Sequence, residues 1–506
     1  MDSVFEGACF EAHGLDVHLA FGWRDSYQRQ GILRYYTLPK PSPITCHASR
    51  GAWRRSMLMP IYNFLLTVAA LVGSPFWAIG VLCSEKRRKT FWYRVGVRFP
   101  QHLDRTLFQN TRSIWVHALS VGEVMSALPL ARHLKQRHPQ VPIVFTASTL
   151  TGFELAEKEL ASDIDGVLYF PYDHPWCIRR VFSFLRPAVV CIVETDIWPN
   201  FLWFAAKRRL PVIWANARVS EHSLKGYLRF PRVFRWLFSR FTWICPQTAT
   251  DRDRLLQVGV SSTSLKVLGN FKFDQLAPPP DERFNKFGRI LVPGAEKKLF
   301  IAGSTHEGEE DIVVAAYWKA RERIPGLRLI LAPRHPKRAK SLLEGIRHQG
   351  LRAEPLSRLL QSGIDPPDVI VVDGIGALRG LYALSDIAFV GGSLVNEGGH
   401  NPLEPATFKL PVLFGPDMRD FAEIADLLLQ SEAAIVVHHV DDLADAVIAL
   451  LENPAKAKRM GQAGHDVLLT HRGAIQKTAD LITQCLPAPL PQIKPSEHEK
   501  SHPPAG

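Results

Sequence analysis

The sequence has no CxxC pair and no cysteine spacing suited to a metal. Its seven cysteines (Cys9, Cys46, Cys83, Cys177, Cys191, Cys245 and Cys485) are scattered through 506 residues. Such thiols belong to a reducing compartment, and no zinc or other metal site is expected. No short internal repeat is visible, and no nucleic-acid-binding motif, so nucleic acid is not an expected partner. Acidic residues are the scarcer charge: 49 Asp and Glu stand against 61 Lys and Arg, a net +12 with a pI near 9.4. That balance favours an anionic partner such as membrane phosphates or a phosphorylated substrate. With 46% hydrophobic and 10% aromatic residues, the chain is a folded protein, not a disordered or collagen-like one. Its length exceeds one ordinary core, so two domains of roughly 200 residues are expected.

Charge is also missing locally. From Met57 to Cys83, 27 residues run without Asp, Glu, Lys or Arg. About 20 apolar residues suffice for a bilayer helix. Arg54 and Arg55 precede the run, Lys86, Arg87, Arg88 and Lys89 follow it, and Trp77, Phe91, Trp92 and Tyr93 stand where an interfacial belt belongs. Pro60, Gly73 and Pro75 argue against one straight helix. Residues 57–90 are therefore read as a membrane-anchoring segment, spanning or kinked and partly inserted. The heavier positive charge after it puts the following domains on the cytoplasmic side. Residues 1–56 lack periodicity and read as a weakly structured extension. The Pro-rich end, 486–506, reads as a disordered tail.

Between these ends short β-branched runs alternate with amphipathic helical patterns. Expected strands are Ile114–His117, Ile143–Thr146, Val167–Phe170, Val189–Val193, Val212–Ala215 and Leu265–Leu268. In the second half they are Phe300–Ala302, Leu327–Leu331, Val369–Val372, Ile387–Val390, Val412–Phe414 and Ala434–Val437. Val124–Gln136 and Ala422–Leu429 carry helical spacing. This alternation predicts parallel sheets covered on both faces, hence two tandem doubly wound Rossmann-like α/β domains, at 91–276 and 298–485. The Pro- and charge-rich stretch 277–297 reads as the linker. Ligands of such folds sit beyond the carboxyl ends of the strands.

The loops there are unusual. Ser120-Val121-Gly122-Glu123 opens a helix after the first strand, with Glu123 in the first turn, where the helix dipole favours a carboxylate. In Glu194-Thr195-Asp196-Ile197-Trp198-Pro199-Asn200 two acids close a buried strand. Gly269-Asn270-Phe271-Lys272-Phe273-Asp274 sets a lysine between aromatics. An ordinary helix-start glutamate, a solvated loop acid and a snorkelling surface lysine would look alike in isolation. In the second half, Gly303-Ser304-Thr305-His306 offers small residues whose amides can approach a phosphate. Pro333-Arg334-His335 ends another strand. Gly391-Gly392 leads to Gly398-Gly399-His400-Asn401-Pro402-Leu403-Glu404-Pro405, in which Asn401 can cap a helix and Glu404 can accept two hydrogen bonds from a ribose diol. His400 and Glu404 alone are an incomplete metal set.

In this order, WVHALSVGE, FTASTLTG, YFPYD, ETDIWPN, NARVS, GNFKFD, AGSTHEGEE, APRHPKR, FVGGSLVNEGGHNPLEP and LFGP resemble the 3-deoxy-D-manno-octulosonic acid (Kdo) transferases of lipopolysaccharide synthesis, from about Met57 to Cys485. The resemblance implies a GT-B fold anchored at the cytoplasmic face of the inner membrane. It implies an inverting transfer of Kdo from the donor CMP-Kdo to the lipid A precursor lipid IVA, with no cofactor. By the same resemblance Glu123 is the base, and Glu194 and Lys272 stabilise the transition state. Pro333, Arg334, Ile375, Gly376, Ala377, Asn401, Pro402, Leu403 and Glu404 hold CMP. Ala377 stands where the family usually has a glutamate, so a side-chain contact is lost there. Two other readings remain open at this point: a GT-B nucleotide-sugar enzyme with a UDP donor, and a non-enzymatic basic protein on the membrane surface.

Overall fold

The computed structural model describes residues 58–100, 103, 106–194, 197–275, 288, 298–362 and 367–487. The extension 1–56, nearly all of the linker 277–297 and the tail from residue 488 lie outside them, as do Thr195 and Asp196.

Two all-parallel sheets form the chain's framework. The first has β1 Ser113–Ala118, β2 Ile143–Ala147, β3 Gly166–Tyr169, β4 Pro187–Val193, β5 Val212–Ala217 and β6 Trp243–Pro246, in the order β3-β2-β1-β4-β5-β6. The second has β7 Lys298–Thr305, β8 Leu327–Pro333, β9 Ala353–Pro355, β10 Val369–Val371, β11 Ile387–Val390, β12 Val412–Phe414 and β13 Ala434–Val436. Its order is β13-β12-β11-β7-β8-β10-β9. Strands β1 to β5 are buried at every residue, as sheets clothed by helices on both faces require. Tandem doubly wound sheets of this kind make a GT-B type α/β fold. Strand order reverses between β1 and β4 and again between β7 and β11, and a crevice opens at the carboxyl ends of each such pair.

Two strands escape the sequence reading. Trp243–Pro246 is four residues closed by a proline, and Ala353–Pro355 is three, too short for periodicity to register. Leu265–Leu268, expected as a strand, runs beside β6 with one isolated bridge, Ile244 to Leu265, and makes no ladder. The final helix, Ala474–Cys485, follows the second sheet in the chain, yet Ala474, Ile475, Ala479, Leu481 and Ile482 pack into the core of the first sheet. Asp274 pins its start by accepting from the amides of Gly473 (2.6 Å) and Ile475 (2.7 Å).

Ahead of the first sheet, Leu58–Cys83 is a single helix of 26 residues containing Pro75. Among the described residues no helix is long and apolar enough to cross a membrane. Ile61, Phe64, Leu65, Val68, Leu71 and Val72 are exposed at helical spacing, an apolar stripe along one face. Elsewhere on the helix Met59 is buried, and the Tyr62 hydroxyl donates to Asp173 Oδ2 at 3.1 Å. That carboxylate also accepts from the amides of Asn200 (3.0 Å) and Phe201 (2.9 Å), at the start of the helix Pro199–Lys207. The apolar helix is thus tied to the element that follows the Glu194 loop.

Candidate active site

In the first half the site is built on the switch point. Glu123 lies at the third position of the helix Val121–Arg137, is 8% exposed, and its Oε2 accepts from the Leu119 amide at 2.6 Å. This is a carboxylate folded back on its own helix start. One turn on, buried Ser126 neighbours Glu194, which directly follows β4 with φ at +66°. Asn216 Nδ2 donates to Glu194 Oε1 at 3.3 Å, and the Trp214 indole donates to the Glu194 carbonyl. Burial raises the Glu194 carboxyl, opposed by Lys272 and Arg218.

Lys272 sits in the 3₁₀ turn Phe271–Asp274, fixed from below by a small amide network. Asn270 Oδ1 accepts from the Lys272 amide (3.0 Å), and Asn270 Nδ2 donates to Gln247 Oε1 (3.0 Å). Gln247 in turn donates to the Asn216 carbonyl (3.0 Å). Lys272 does not snorkel to the surface. Its ammonium crosses to the second half, donating to the Asp420 carbonyl at 3.1 Å over the Phe421 ring at 3.9 Å. Burial lowers its pKa, against the pull of Glu194. The cleft there is lined by Glu194, Arg218, Lys272, Phe421 and Glu423. Glu194 and Lys272, far apart in sequence, therefore line one cleft, and Glu123 starts the helix whose Ser126 neighbours Glu194.

Glu423 and Arg218 carried no assigned role in the sequence reading. Burial and then Asp251 push the Glu423 carboxyl up to about 7, against Arg218 and Lys272. An acid raised on folding contributes stability that is fullest below the ordinary carboxylate range and is lost as pH rises through about 7. Between pH 5 and 8, wild type is expected to lose thermal stability relative to Glu423→Gln, whose amide does not titrate. Parallel melting curves across that range would show that Glu423 is not held protonated.

In the second half the loops after β7 and β11 gather at the switch point. Gly391 packs so closely on Ser304 and Thr305 that a Cβ there would lie 2.6 Å from the Thr305 Cα, and Ser304 has φ at +58°. Glu309, fully buried at the start of the helix Glu309–Arg323, gathers the loops. Its Oε2 accepts from the amides of His306 (2.9 Å) and Gly392 (2.7 Å), and its Oε1 from those of Ser393 (2.9 Å) and Leu394 (2.9 Å). His306 and His400 meet Nε2 to Nε2 at 2.8 Å, so one proton serves both. Burial, with Arg334 next, pushes His400 down to about 4.

Pro333 is buried, while Arg334 beyond it is exposed and donates its amide to the Thr305 carbonyl at 2.9 Å. Asn401 Oδ1 accepts from the Leu403 amide at 3.1 Å, starting the short helix Leu403–Thr407. Pro402 and Leu403 are buried, and burial raises the Glu404 carboxyl against the charges of Arg379 and Arg334. Ile375 is 95% exposed, and Gly376 beside it has φ at +92°. Ala377 precedes the helix Leu378–Tyr382, where its methyl group supplies no polar contact. Arg379, which the sequence reading passed over, sits in that helix and donates to the Gln275 carbonyl at 3.4 Å across the cleft. Among the described residues no group of three or more His, Cys, Asp or Glu could hold a metal ion.

Residues 92–275 match the family model described as 3-deoxy-D-manno-octulosonic-acid transferase (kdotransferase). The chain is 35% identical over 377 residues to the 3-deoxy-D-manno-octulosonic acid transferase of Haemophilus influenzae, covering 73% of this chain and 86% of that one. With the enzyme of the same name from Bordetella pertussis it shares 29% identity over 402 residues, 78% of this chain and 90% of that one. Among solved structures it is similar to the C-terminal CMP-Kdo binding domain of WaaA from Acinetobacter baumannii. That match has 28% identity and a TM-score of 0.34, covering 37% of this chain and 99% of that one.

Proposed function

Since the chain belongs to the 3-deoxy-D-manno-octulosonic acid transferase family, we propose that it moves Kdo from CMP-Kdo to lipid IVA, with inversion at the anomeric carbon. The observation that carries this reading is the Glu194–Lys272 pair in the cleft, whose ammonium reaches the Asp420 carbonyl of the half that carries Arg334 and Glu404. A sugar hydroxyl is a poor nucleophile at neutral pH, so an inverting transfer needs a base on the acceptor side. Glu123 takes the hydroxyl proton as the new carbon–oxygen bond forms. The bond to the CMP phosphate breaks on the opposite face, and fixed positive charge at Lys272 and the loop amides near Ser304 receive the departing anion. Turnover of CMP-Kdo with purified lipid IVA tests this directly. Turnover of a UDP-sugar in its place would sink it.

Glu404 and Arg334 hold the nucleotide in this reading. Glu404→Ala is expected to weaken CMP binding by about 1–3 kcal/mol, through ribose hydroxyls left with fewer partners. Arg334→Ala removes a charge-assisted contact of similar weight. Calorimetry with unchanged CMP affinity in both variants would remove this pocket from the site.

The acceptor's acyl chains stay in the bilayer, and the exposed stripe Ile61, Phe64, Leu65, Val68, Leu71 and Val72 supports a helix lying partly inserted at the inner-membrane surface. The bases at Lys86–Lys89 add attraction to anionic headgroups. Phe64→Asp with Leu71→Asp is expected to move the protein from the membrane fraction to the soluble one while CMP affinity holds. Unchanged sedimentation with membranes would show that this face is not the anchor.

A further inference from the structure

Two histidines meet at the switch point of the second sheet, and no step of the proposed transfer uses them. His306 follows β7, and His400 lies in the loop after β11. Their rings are 15° from parallel with centroids 5.1 Å apart, and the Nε2 atoms face each other at 2.8 Å. At that separation the two nitrogens hold one proton between them, since a second N–H would set hydrogen against hydrogen. Both loops are fixed. Glu309 Oε2 accepts from the His306 amide at 2.9 Å. Gly392, with φ at +70°, leaves His400 its place, because a Cβ there would stand 3.1 Å from the ring's Cδ2. The Gly399 amide donates to the Gly392 carbonyl at 2.8 Å and closes the loop.

Charged groups stand on every element around the pair. Arg334 and His335 follow β8 and are exposed, and the His335 ring stands edge-on to His306 with centroids 6.2 Å apart. Glu309 opens the helix after β7, with both oxygens taken by amides. After β12, Asp417 accepts from the Gly398 amide at 2.8 Å and pairs with Arg419, and Asp420 lies close to Gly398. Glu404 feels Arg379 and Arg334, and Glu307 and Glu397, on the pair's own loops, are exposed. At His400 burial and the cations prevail: burial, then Arg334 and the other two histidines, push it down to about 4. The two rings titrate as one coupled unit. An anion beside Arg334 opposes the cations, and an opposite charge close by favours a protonated ring by roughly ten- to a thousandfold.

We propose that the His306–His400 pair is a proton-coupled seat for the donor's phosphate, taking up a further proton from solvent as a phosphodiester monoanion settles beside Arg334. The inference rests on the reading of this half as the CMP-sugar half. In the uncharged pair one lone pair is left over, on Nδ1 of whichever ring donates at Nε2. A proton there makes an imidazolium and a new N–H donor while the bond between the two Nε2 atoms survives. That donor forms a charge-assisted hydrogen bond to the phosphate oxygen. The site thus gains a positive charge only when its anion arrives.

The full-length protein is titrated by calorimetry with the methyl ester of CMP, in buffers of differing ionisation heat, between about pH 5.5 and 8. The ester's phosphodiester keeps its single charge across that range, and cytidine is the uncharged control. Wild type is expected to take up about half a proton or more per ester bound, with affinity rising about tenfold from the alkaline to the acid end. Cytidine shows neither effect. His306→Gln with His400→Gln removes both titrating rings, and is expected to lose the proton uptake while its cytidine affinity holds. Should that variant fold poorly, wild type alone decides, since the two probes differ only in the phosphate ester. Uptake that is equal for ester and cytidine, or equal in wild type and the folded variant, overturns the inference and leaves the CMP reading standing. An ester that wild type fails to bind at any pH overturns both.

Discussion

Glu123→Gln is expected to lower turnover by roughly 10²–10⁴ while leaving the fold and the affinity for CMP unchanged. The amide keeps an oxygen to accept from the Leu119 amide, so the bond that seats the side chain at 2.6 Å survives. Only the ability to take a proton is lost. The proposed nucleotide site lies on the other sheet, near Glu309, Arg334 and Glu404, and does not draw on Glu123. Steady-state kinetics with lipid IVA, paired with CMP calorimetry, separate these effects. Near-normal turnover in a folded variant would remove Glu123 from the base's role, and a matching fall in CMP affinity would point to misfolding of the site.

Glu309→Ala is expected to produce the largest loss of stability in the second half. It strips four amides of their acceptor, those of Gly392 and Ser393 buried, and a buried amide left unmet costs about 1–3 kcal/mol. Water entering the vacated space recovers part of this, and a net cost of about 3–5 kcal/mol is expected. For domains of this size that is a drop in melting temperature of roughly 10 °C. Glu309→Gln is almost as harmful, because both carboxylate oxygens accept from two amides each, and the new NH₂ would face two donors. CMP affinity falls in both variants as the Gly392–Leu394 loop loses its shape. A melting curve within 2–3 °C of wild type for Glu309→Ala would show, on the same scale, that the four bonds are cheaply replaced.

Much of this arrangement was legible in the residues alone. Continuous apolar runs mark most of the strands, and the loops after β1, β4, β7 and β11, which lie at the switch points, stand out by composition. What local pattern cannot carry is long-range partnership. The amides that Glu309 binds are 83 to 85 residues away in three of its four bonds, and nothing near GEE announces them. Glu423 lies in an ordinary helix start, and only its burial in the cleft beside Asp251 lifts its pKa, against the pull of Arg218 and Lys272. The charge-free run at 57–83 reads as a bilayer segment by its lack of ions. Tyr62, Asn63, Thr67, Ser74 and Pro75 dilute its apolarity, and the helix instead displays a single greasy stripe. Helical spacing over Ala474–Cys485 is plain in the sequence, but it holds no hint of which sheet the helix returns to.

That return has a mechanical consequence. The chain leaves the first half after Gln275 and comes back at Gly473, and Asp274 ties the outgoing strand of chain to the incoming one through two short bonds. The two halves are therefore joined twice, by the chain after Gln275 and by the last helix that Asp274 holds. If the halves turned about Asp274, Lys272, two residues away, would move little, while Arg334 and Glu404, carried on the second half, would travel farther. An ammonium at the axle and a nucleotide pocket on the arm would let the enzyme open to exchange its donor without losing the register of the charge that meets the leaving phosphate. A protease cut between Gln275 and Lys298 would not free the halves from each other, since the buried face of the last helix holds the second fragment in the core of the first.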